Sequence, residues 1–324
     1  MSDPFVRQDV RTFLDFVENV PAPKMHELDA PAARKQYLGM RDLADLPTGE
    51  LAVVRDLTLP GPAGELRARL FDARAERVPG PAVVFFHGGG FVIGDIDTHA
   101  PACAEMARTL DLPVISIDYR LAPEHRWPAA PDDCEAAARW VADSPEALGR
   151  SVTGLVLSGD SAGGSLTIIT AMALRDVPAA VPVIAQFPIY PAADMAKEYP
   201  SFREFAEGYL LTRDSMRWFD RAYQADVNDP RGSPMQGSVE GLPPALVLTA
   251  GLDPLRDQGR AYAAALIEAG IPTAYREAKG NIHGFITLRK AIPSSQSDYR
   301  SALLALKQML AEAEGERVME QAAR

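Results

Sequence analysis

Cysteine is scarce in this sequence, and long runs of hydrophobic residues do not occur. The two cysteines among 324 residues, Cys103 and Cys134, lie in separate helix-like segments without C-x-x-C spacing. A zinc or redox site is therefore not expected, and we expect both thiols to be reduced and structural. No stretch reaches the roughly 18 apolar residues that a membrane-spanning helix needs, so we expect no insertion into a membrane.

Positive charge is also in short supply. The formal net charge is -11, from 33 lysines and arginines against 44 aspartates and glutamates. No long basic run interrupts this balance, which disfavours nucleic acid and anionic membranes as partners. The first residues lack the basic region followed by an apolar run that marks a signal peptide. We therefore expect a cytoplasmic protein.

From residue 51 onward, strand-like and helix-like segments alternate. Hydrophobic residues make up 47% of the chain and charged residues 24%, which is typical of a globular protein with a large core. The strand-like segments are 51–59, 65–71, 82–86, 114–117, 155–157, 181–187, 245–249 and 272–277, and the helix-like segments are 99–110, 129–141, 162–174, 256–269 and 295–313. Such alternation predicts right-handed crossovers. The sequence therefore predicts an α/β fold with a mostly parallel, eight-stranded sheet flanked by helices.

Two segments stand outside this alternation. Residues 1–48 are helical and amphipathic in pattern, with a break at 21–23, and residues 192–228 are much longer than a crossover helix needs. Large apolar side chains are frequent in the second segment. We expect 1–45 and 192–228 to form a helical cap over a main domain of 46–191 and 229–324. Alternatively, these side chains are simply the buried faces of two extra helices, and both interpretations can hold.

The most informative motif is Gly-x-Ser-x-Gly at 159–163, between an apolar strand and a helix-like segment. A serine on such a sharp strand-to-helix turn has an exposed hydroxyl that can attack a carbonyl. We expect Ser161 to adopt a strained backbone conformation. The alternative is an ordinary glycine turn in which Ser161 has no chemical role.

A nucleophilic serine needs a base and a carboxylate that orients it. On an open α/β sheet they follow in the order serine, acid, histidine. Of five histidines, only His283 follows Ser161, and it comes just after the last predicted strand. Asp253 directly follows the preceding strand and its turn, so we expect it to orient His283. Asp257 lies one helical turn further on, and we expect it to serve the helix N-terminus.

Three successive glycines follow the predicted strand 82–86. Glycines let backbone N–H groups approach a substrate closely, and a His-Gly-Gly-Gly loop at this place supplies oxyanion donors in lipases and esterases. We expect the N–H groups of Gly89, Gly90 and Ala162 to form this oxyanion hole, with His87 bracing the loop. A flexible loop is the plain alternative. A phosphate-binding loop is disfavoured because no Lys-Ser or Lys-Thr follows.

Taken together, these motifs resemble the bacterial carboxylesterases of the hormone-sensitive lipase group, an α/β-hydrolase family. They are His-Gly-Gly-Gly-Phe at 87–91, Asp-Tyr-Arg-Leu-Ala-Pro-Glu at 118–124, Gly-Asp-Ser-Ala-Gly-Gly at 159–164, Asp-Pro-Leu-Arg-Asp at 253–257 and His-Gly-Phe at 283–285. Residues 208–212 look like the family's cap region and 20–23 like its N-terminal segment. Many members carry Asn at the position of Ser165, inside the helix after the nucleophile, where no catalytic role is affected.

The resemblance implies an α/β-hydrolase fold with a helical cap, a catalytic triad of Ser161, Asp253 and His283, and an oxyanion hole of Gly89, Gly90 and Ala162. It implies neither a cofactor nor a metal, and family members often form homodimers.

The expected reaction is two-step hydrolysis of a small carboxylic ester through an acyl-enzyme, with activity falling in mild acid as the histidine base becomes protonated. The aromatic cap suggests a closed apolar pocket for short or medium acyl chains. Its tentative substrate-binding residues are Phe202, Tyr209, Leu210 and Phe219. The alternatives are an amidase, lactonase or deacetylase with the same triad, and a non-catalytic small-molecule receptor on the same fold.

Overall fold

The computed structural model describes residues 4–322 and places an eight-stranded sheet at the centre of the molecule. The strands are β1 (Val53–Gly61), β2 (Gly64–Asp72), β3 (Gly80–Phe86), β4 (Val114–Asp118), β5 (Val152–Asp160), β6 (Val183–Ile189), β7 (Ala245–Leu252) and β8 (Thr273–Ile282). They follow the order β1-β2-β4-β3-β5-β6-β7-β8. β2 runs antiparallel to β1 and β4, and the other neighbours are parallel. The predicted fold class and strand count are confirmed.

Helices cover both faces of the sheet. They are α1 (Gln8–Asn19), α2 (Ala30–Ala44), α3 (Ala100–Leu110), α4 (Ala129–Ala142), α5 (Ala162–Asp176), α6 (Pro200–Glu204), α7 (Arg213–Tyr223), α8 (Arg256–Glu268) and α9 (Ser294–Ala322). Apolar side chains of α4, α5 and α8 form one core layer against the sheet, and those of α3 and α9 form the layer on the opposite face. Buried Cys103 and Cys134 are both unpaired and lie in α3 and α4.

Several strands run further than the hydrophobic pattern predicts. The apolar run 155–157 is extended at both ends in β5. Val152 pairs with Gly80 of β3 at one end, and Ser158 and Gly159 continue the pairing with β3 and β6 at the other. The hydroxyl of Ser158 donates to the carbonyl of Phe187 at 3.0 Å, so this polar residue is satisfied inside the sheet.

The chain winds from β3 outward to β4 and then returns to β5 on the other side of β3. This is the switch point at which open α/β sheets bind their ligands.

The two segments outside the alternation pack against each other at the ends of β7 and β8. Val10 and Phe13 of α1 share an apolar cluster with Phe205, which follows α6, and with Leu252 and Ile282 at the strand ends. α1 ends before the predicted break at 21–23, and α2 begins beyond it. The division into a cap of 1–45 and 192–228 and a main domain stays a prediction.

Candidate active site

Ser161 occupies the turn between β5 and α5. Its backbone conformation is one that residues other than glycine rarely adopt. Its φ is 56° and its ψ is -117°, and a residue held in such a region costs about 1–3 kcal/mol. A Cβ at Gly159 would lie 2.4 Å from the carbonyl oxygen of Gly163, and one at Gly163 would lie 1.9 Å from that of Phe86. Both glycines are therefore required for the tight turn, and the expected strain at Ser161 is found.

His283 lies between the serine and a buried carboxylate. Its Nε2 is 2.8 Å from the Oγ of Ser161, and its Nδ1 is 2.7 Å from Oδ2 of Asp253. Because a carboxylate only accepts hydrogen bonds, Nδ1 carries the proton and Nε2 is free to accept the serine proton. Asp253 is fully buried, and its Oδ1 accepts the N–H of Leu255 at 2.8 Å.

The sheet itself brings these three side chains together. Leu252 and Ile282 are register partners in β7 and β8, so Asp253 and His283, each directly after its strand, emerge side by side. Ser161 directly follows β5 in the same parallel sheet. Since parallel strands end at one edge, residues that are 122 positions apart in sequence meet there. Asp257 lies in the first turn of α8, as expected, and its carboxylate also accepts the N–H of Ser201 in α6 at 3.0 Å.

The glycine loop after β3 is closely packed. Gly89 and Gly90 have φ values of 124° and 58°, and a Cβ on Gly89 would lie 2.1 Å from the carbonyl oxygen of Ile93. The carbonyl of Gly89 accepts the N–H groups of Val92 and Ile93, each at 3.0 Å. On the other side of the turn, Ala162 begins α5, and the first N–H groups of a helix have no partner within it.

His87 braces this loop, as the sequence suggests. Its ring is stacked on that of Tyr119 with 4.3 Å between centroids, and its Nδ1 lies 2.8 Å from the carbonyl oxygen of Gly88. Tyr119 in turn donates its hydroxyl to the carbonyl of His87 at 2.7 Å. Burial and the nearby His99 lower the pKa of His87 to about 4. A neutral, fully buried ring of this kind fits a structural role rather than that of a second base.

Of the four tentative pocket residues, the structure brings Phe219 of α7 to the glycine loop. A Cβ on Gly90 would lie 2.3 Å from its ring, so the aromatic face rests directly on this glycine. Tyr209 packs edge-on against Phe205, and Phe202 lies under the guanidinium of Arg213. Leu210 is 37% exposed. A pocket role for these last three stays a prediction.

Three further residues of the site escaped the sequence interpretation. The buried carboxylate of Asp160 accepts the N–H of Gly88 at 2.8 Å and the hydroxyl of Tyr190 at 3.2 Å, and it lies 3.1 Å from Nε2 of His99. The ring of Tyr190 packs against that of His283, with 4.7 Å between centroids. Asp160 could have been noticed as the single charged residue of β5. Nothing in the sequence around Tyr190 or His99 marks them.

Neither a metal centre nor a membrane span is found in the part of the chain that the structure describes. Within residues 4–313, no group of three or more His, Cys, Asp or Glu side chains is arranged to hold a metal ion. Across the same residues, no helix combines the length and the apolar character needed to cross a bilayer.

Comparison with known proteins places this geometry in a family. Residues 83–287 match a protein family described as having the alpha/beta hydrolase fold. Esterase LipI of Mycobacterium tuberculosis is 36% identical over 278 residues, which cover 84% of this chain and 87% of the relative. Ethyl acetate hydrolase of Pseudomonas putida is 37% identical over 293 residues, covering 88% of this chain and 92% of the relative.

Solved structures of similar fold are also hydrolases. The crystal structure of an alpha/beta hydrolase enzyme from the metagenome of Lake Arreo superposes with a TM-score of 0.88 at 39% identity, covering 95% of this chain and 98% of the other. A thermostable esterase from Pseudomonas putida gives a TM-score of 0.89 at 28% identity, with 96% and 99% of the two chains covered. The chain therefore belongs to the α/β-hydrolase fold family, and it is a carboxylesterase of the hormone-sensitive lipase group.

Proposed function

We propose that Ser161, His283 and Asp253 form the catalytic triad of this carboxylesterase. The observation that carries the proposal is the imidazole of His283, which bridges the hydroxyl of Ser161 and the carboxylate of Asp253 at 2.8 and 2.7 Å. These are distances at which a nucleophile, its base and the orienting group can act as a unit. A receptor that only binds its ligand has no use for such an alignment, so the non-catalytic alternative is disfavoured.

In the first half-reaction, His283 takes the proton of Ser161 as Oγ attacks the ester carbonyl, and His283 then protonates the leaving alcohol. In the second, His283 takes a proton from water, which attacks the acyl-enzyme; the acid leaves and the proton returns to Ser161. Asp253 holds the imidazole in the required tautomer and stabilises its charged form. The N–H groups of Gly89, Gly90 and Ala162 are proposed to stabilise the oxyanion in both steps.

The proposed substrate is a small ester with a short or medium acyl chain. Phe219 supports this proposal because its ring lies against Gly90, one of the proposed oxyanion donors, and restricts the space above it. Phe202, Tyr209 and Leu210 belong to the same inserted segment and are proposed to line the rest of the pocket. In this proposal residues 1–45 and 192–228 form the cap, and 46–191 with 229–324 form the catalytic domain.

We also propose that the enzyme acts in the cytoplasm, without a nucleic-acid partner. The support is the net charge of -11 and the two buried, unpaired cysteines. A homodimer, common in the family that the sequence resembles, is a further proposal, which analytical ultracentrifugation of the purified protein would test.

Replacing the nucleophile tests the triad. Ser161→Ala should reduce hydrolysis of p-nitrophenyl butanoate by about 10⁶-fold while the melting temperature is maintained. Ser165→Ala is the matched control, because Ser165 lies one turn further along α5 and donates its hydroxyl to the carbonyl of Ala192 at 2.7 Å. Near wild-type turnover in Ser161→Ala would contradict the proposed triad. Matched ester and amide substrates would separate an esterase from an amidase.

A further inference from the structure

A carboxylate that takes no part in the proposed chemistry is buried beside the nucleophile. Asp160 directly precedes Ser161, and only 4% of it is exposed. One oxygen, Oδ1, accepts the N–H of Gly88 at 2.8 Å. The other, Oδ2, accepts the hydroxyl of Tyr190 at 3.2 Å, and the ring of Tyr190 packs on His283. Asp160 thus connects the nucleophile turn with the glycine loop and with the catalytic histidine.

His99, just before α3, is the partner of this carboxylate. It is fully buried, and its Nε2 lies 3.1 Å from Oδ1 of Asp160. The contact is not aligned as a hydrogen bond, so the attraction is mainly that between the charges. A proton on Nε2 makes this close approach attractive, whereas an unprotonated nitrogen 3.1 Å from a carboxylate oxygen would be repelled.

The other ring nitrogen of His99 also has a polar partner. Nδ1 lies 3.0 Å from Oγ1 of Thr98. The hydroxyl of Thr98 has a single proton, and the carbonyl oxygen of Asp95, which can only accept, lies 2.8 Å away. With the proton on that hydrogen bond, Thr98 accepts from Nδ1. In this arrangement both nitrogens of His99 carry a proton, and a histidine protonated at both nitrogens is an imidazolium.

We propose that His99 is a permanently protonated positioning residue, whose buried ion pair with Asp160 holds the glycine loop against the nucleophile turn during ester hydrolysis. The inference rests on the oxyanion role proposed for Gly89 and Gly90. Gly88, which Asp160 holds, directly precedes these two glycines. His99 contacts neither Ser161 nor the substrate, so it acts through Asp160 and the loop.

The charge of His99 matters because the tetrahedral intermediate is also an anion. A lone carboxylate beside Ser161 would disfavour a second negative charge nearby, and the low dielectric of the interior would strengthen the repulsion. With His99 protonated, the pair is neutral overall. Asp160 can then accept the N–H of Gly88 in a strong, charge-assisted hydrogen bond. The pair as a whole does not repel the negative charge of the oxyanion.

The groups around His99 are consistent with a protonated ring. Burial alone would lower the pKa of His99, but the charges of Asp160 and Asp95 raise it above its ordinary value. The neighbouring rings of His87 and Tyr37, with centroids 5.6 and 6.4 Å away, are both uncharged at neutral pH, because the pKa of His87 is lowered and that of Tyr37 is raised. Burial would likewise raise the pKa of Asp160, but His99 and the N–H of Gly88 lower it.

Nitrogen NMR of the full-length wild-type enzyme tests the protonation state directly. At pH 8, where a histidine of ordinary pKa is neutral, both ring nitrogens of His99 should show the shifts of an imidazolium. The signal is assigned by its loss in His99→Gln, or by substituting the other four histidines in turn if that variant does not fold. A neutral tautomer at His99 at pH 8 would overturn the proposal.

Kinetics of a double-mutant cycle tests the function of the pair. His99→Gln leaves the carboxylate without a counter-ion, and Asp160→Asn leaves His99 facing an amide. Each should lower kcat about 10–100-fold with little change in KM, because an oxyanion hole acts in the transition state. The double variant has two neutral groups that can hydrogen-bond, and it should recover at least about tenfold in kcat over His99→Gln. Wild-type kcat in His99→Gln, or losses that simply multiply in the double variant, would overturn the proposal.

Two controls separate this inference from the proposed triad. His125→Gln changes an exposed histidine in the same way and should leave kcat unchanged. An organophosphate should label Ser161 in the wild type; absence of labelling would contradict the triad itself. If the wild type is labelled and His99→Gln retains its full labelling rate, the triad stands and the role of His99 is refuted.

Discussion

Phe219 covers Gly90 on the face from which a side chain would project, and its ring carbons lie 2.3 to 2.6 Å from the position of a Cβ there. This contact joins α7 of the inserted segment to the loop that is proposed to hold the oxyanion. α7 is fixed at its end by Tyr223, whose ring is stacked on that of Phe91 with 3.9 Å between centroids. In the proposed site, the acyl or alcohol group of an ester would lie beside this aromatic wall.

Removing this wall should change the preference for chain length. In Phe219→Ala we expect kcat/KM for p-nitrophenyl octanoate to rise about tenfold relative to the acetate, because two or three additional methylenes can be buried in the vacated space. The measurement is a chain-length series of p-nitrophenyl esters. Phe16→Ala, which truncates a 66% exposed ring on α1, is the matched control and should leave the profile unchanged. An unaltered profile in Phe219→Ala would show that the wall lies outside the substrate pocket.

A methyl group at Gly90 should be poorly tolerated. Gly90→Ala must both hold φ near 58° and push the ring of Phe219 aside. A displaced donor should lower kcat about 10²–10³-fold with a smaller effect on KM. Gly270→Ala provides the comparison, since Gly270 has a φ of 77° but no heavy atom within 4 Å of the added carbon. Gly270→Ala introduces backbone strain but no steric clash. Its kcat should therefore match that of the wild type.

Much of the site could be predicted because its chemistry follows the order of the strands. Ser161, Asp253 and His283 each come directly after a strand, and the ends of parallel strands share one edge of the sheet. The elimination of four of the five histidines by position then left a single base. The fold class could be inferred in the same way, because alternating periodicities of strands and helices leave few topologies.

The sequence carries far less information about the contacts that hold the site in place. Asp160 meets Gly88 across two neighbouring strands, and His99 reaches Asp160 from a third segment, so neither contact has a local signal. Strand ends were also missed where polar residues continue the ladder, as Ser158 does in β5. Tertiary hydrogen bonds decide such positions, and periodicity does not report them.

Acid should weaken the fold through Asp72, at the opposite end of the sheet. Burial would raise the pKa of this carboxyl, but hydrogen bonds from the Arg77 side chain, the N–H of Arg74 and the Arg150 side chain lower it below its ordinary value. A lowered pKa contributes stability that is present above the unfolded value, near 4, and is lost as pH falls through the folded value.

The matching experiment is denaturant unfolding of wild type and Asp72→Asn at pH 7 and pH 3. At pH 7 the variant should be less stable by roughly 2–3 kcal/mol, and at pH 3 the difference should shrink. Glu76→Gln, at an exposed position nearby, should match the wild type at both pH values. A difference that stays constant between them would exclude Asp72 as a source of the acid sensitivity.

The N-terminal segment should depend for its attachment on one buried ion pair. Asp45, just after α2, accepts hydrogen bonds from the guanidinium of Arg289 at 2.8 and 3.0 Å, and both side chains are only 1% exposed. Arg289 lies six residues beyond His283, so the pair ties this segment to the loop that carries the proposed catalytic base. Replacing the acid leaves a buried guanidinium without a counter-ion, which costs about 3–5 kcal/mol.

Asp45→Asn should therefore lower the free energy of unfolding by about 3 kcal/mol, and limited proteolysis should cut earlier between α2 and β1. Asp42→Asn is the comparison, because Asp42 also pairs with an arginine but its side chain is 81% exposed, and exposed pairs contribute little. Equal stability of the two variants would mean that the buried pair is dispensable. A loss confined to Asp45→Asn, together with reduced kcat, would show that the segment before β1 supports the position of His283 as well as the fold.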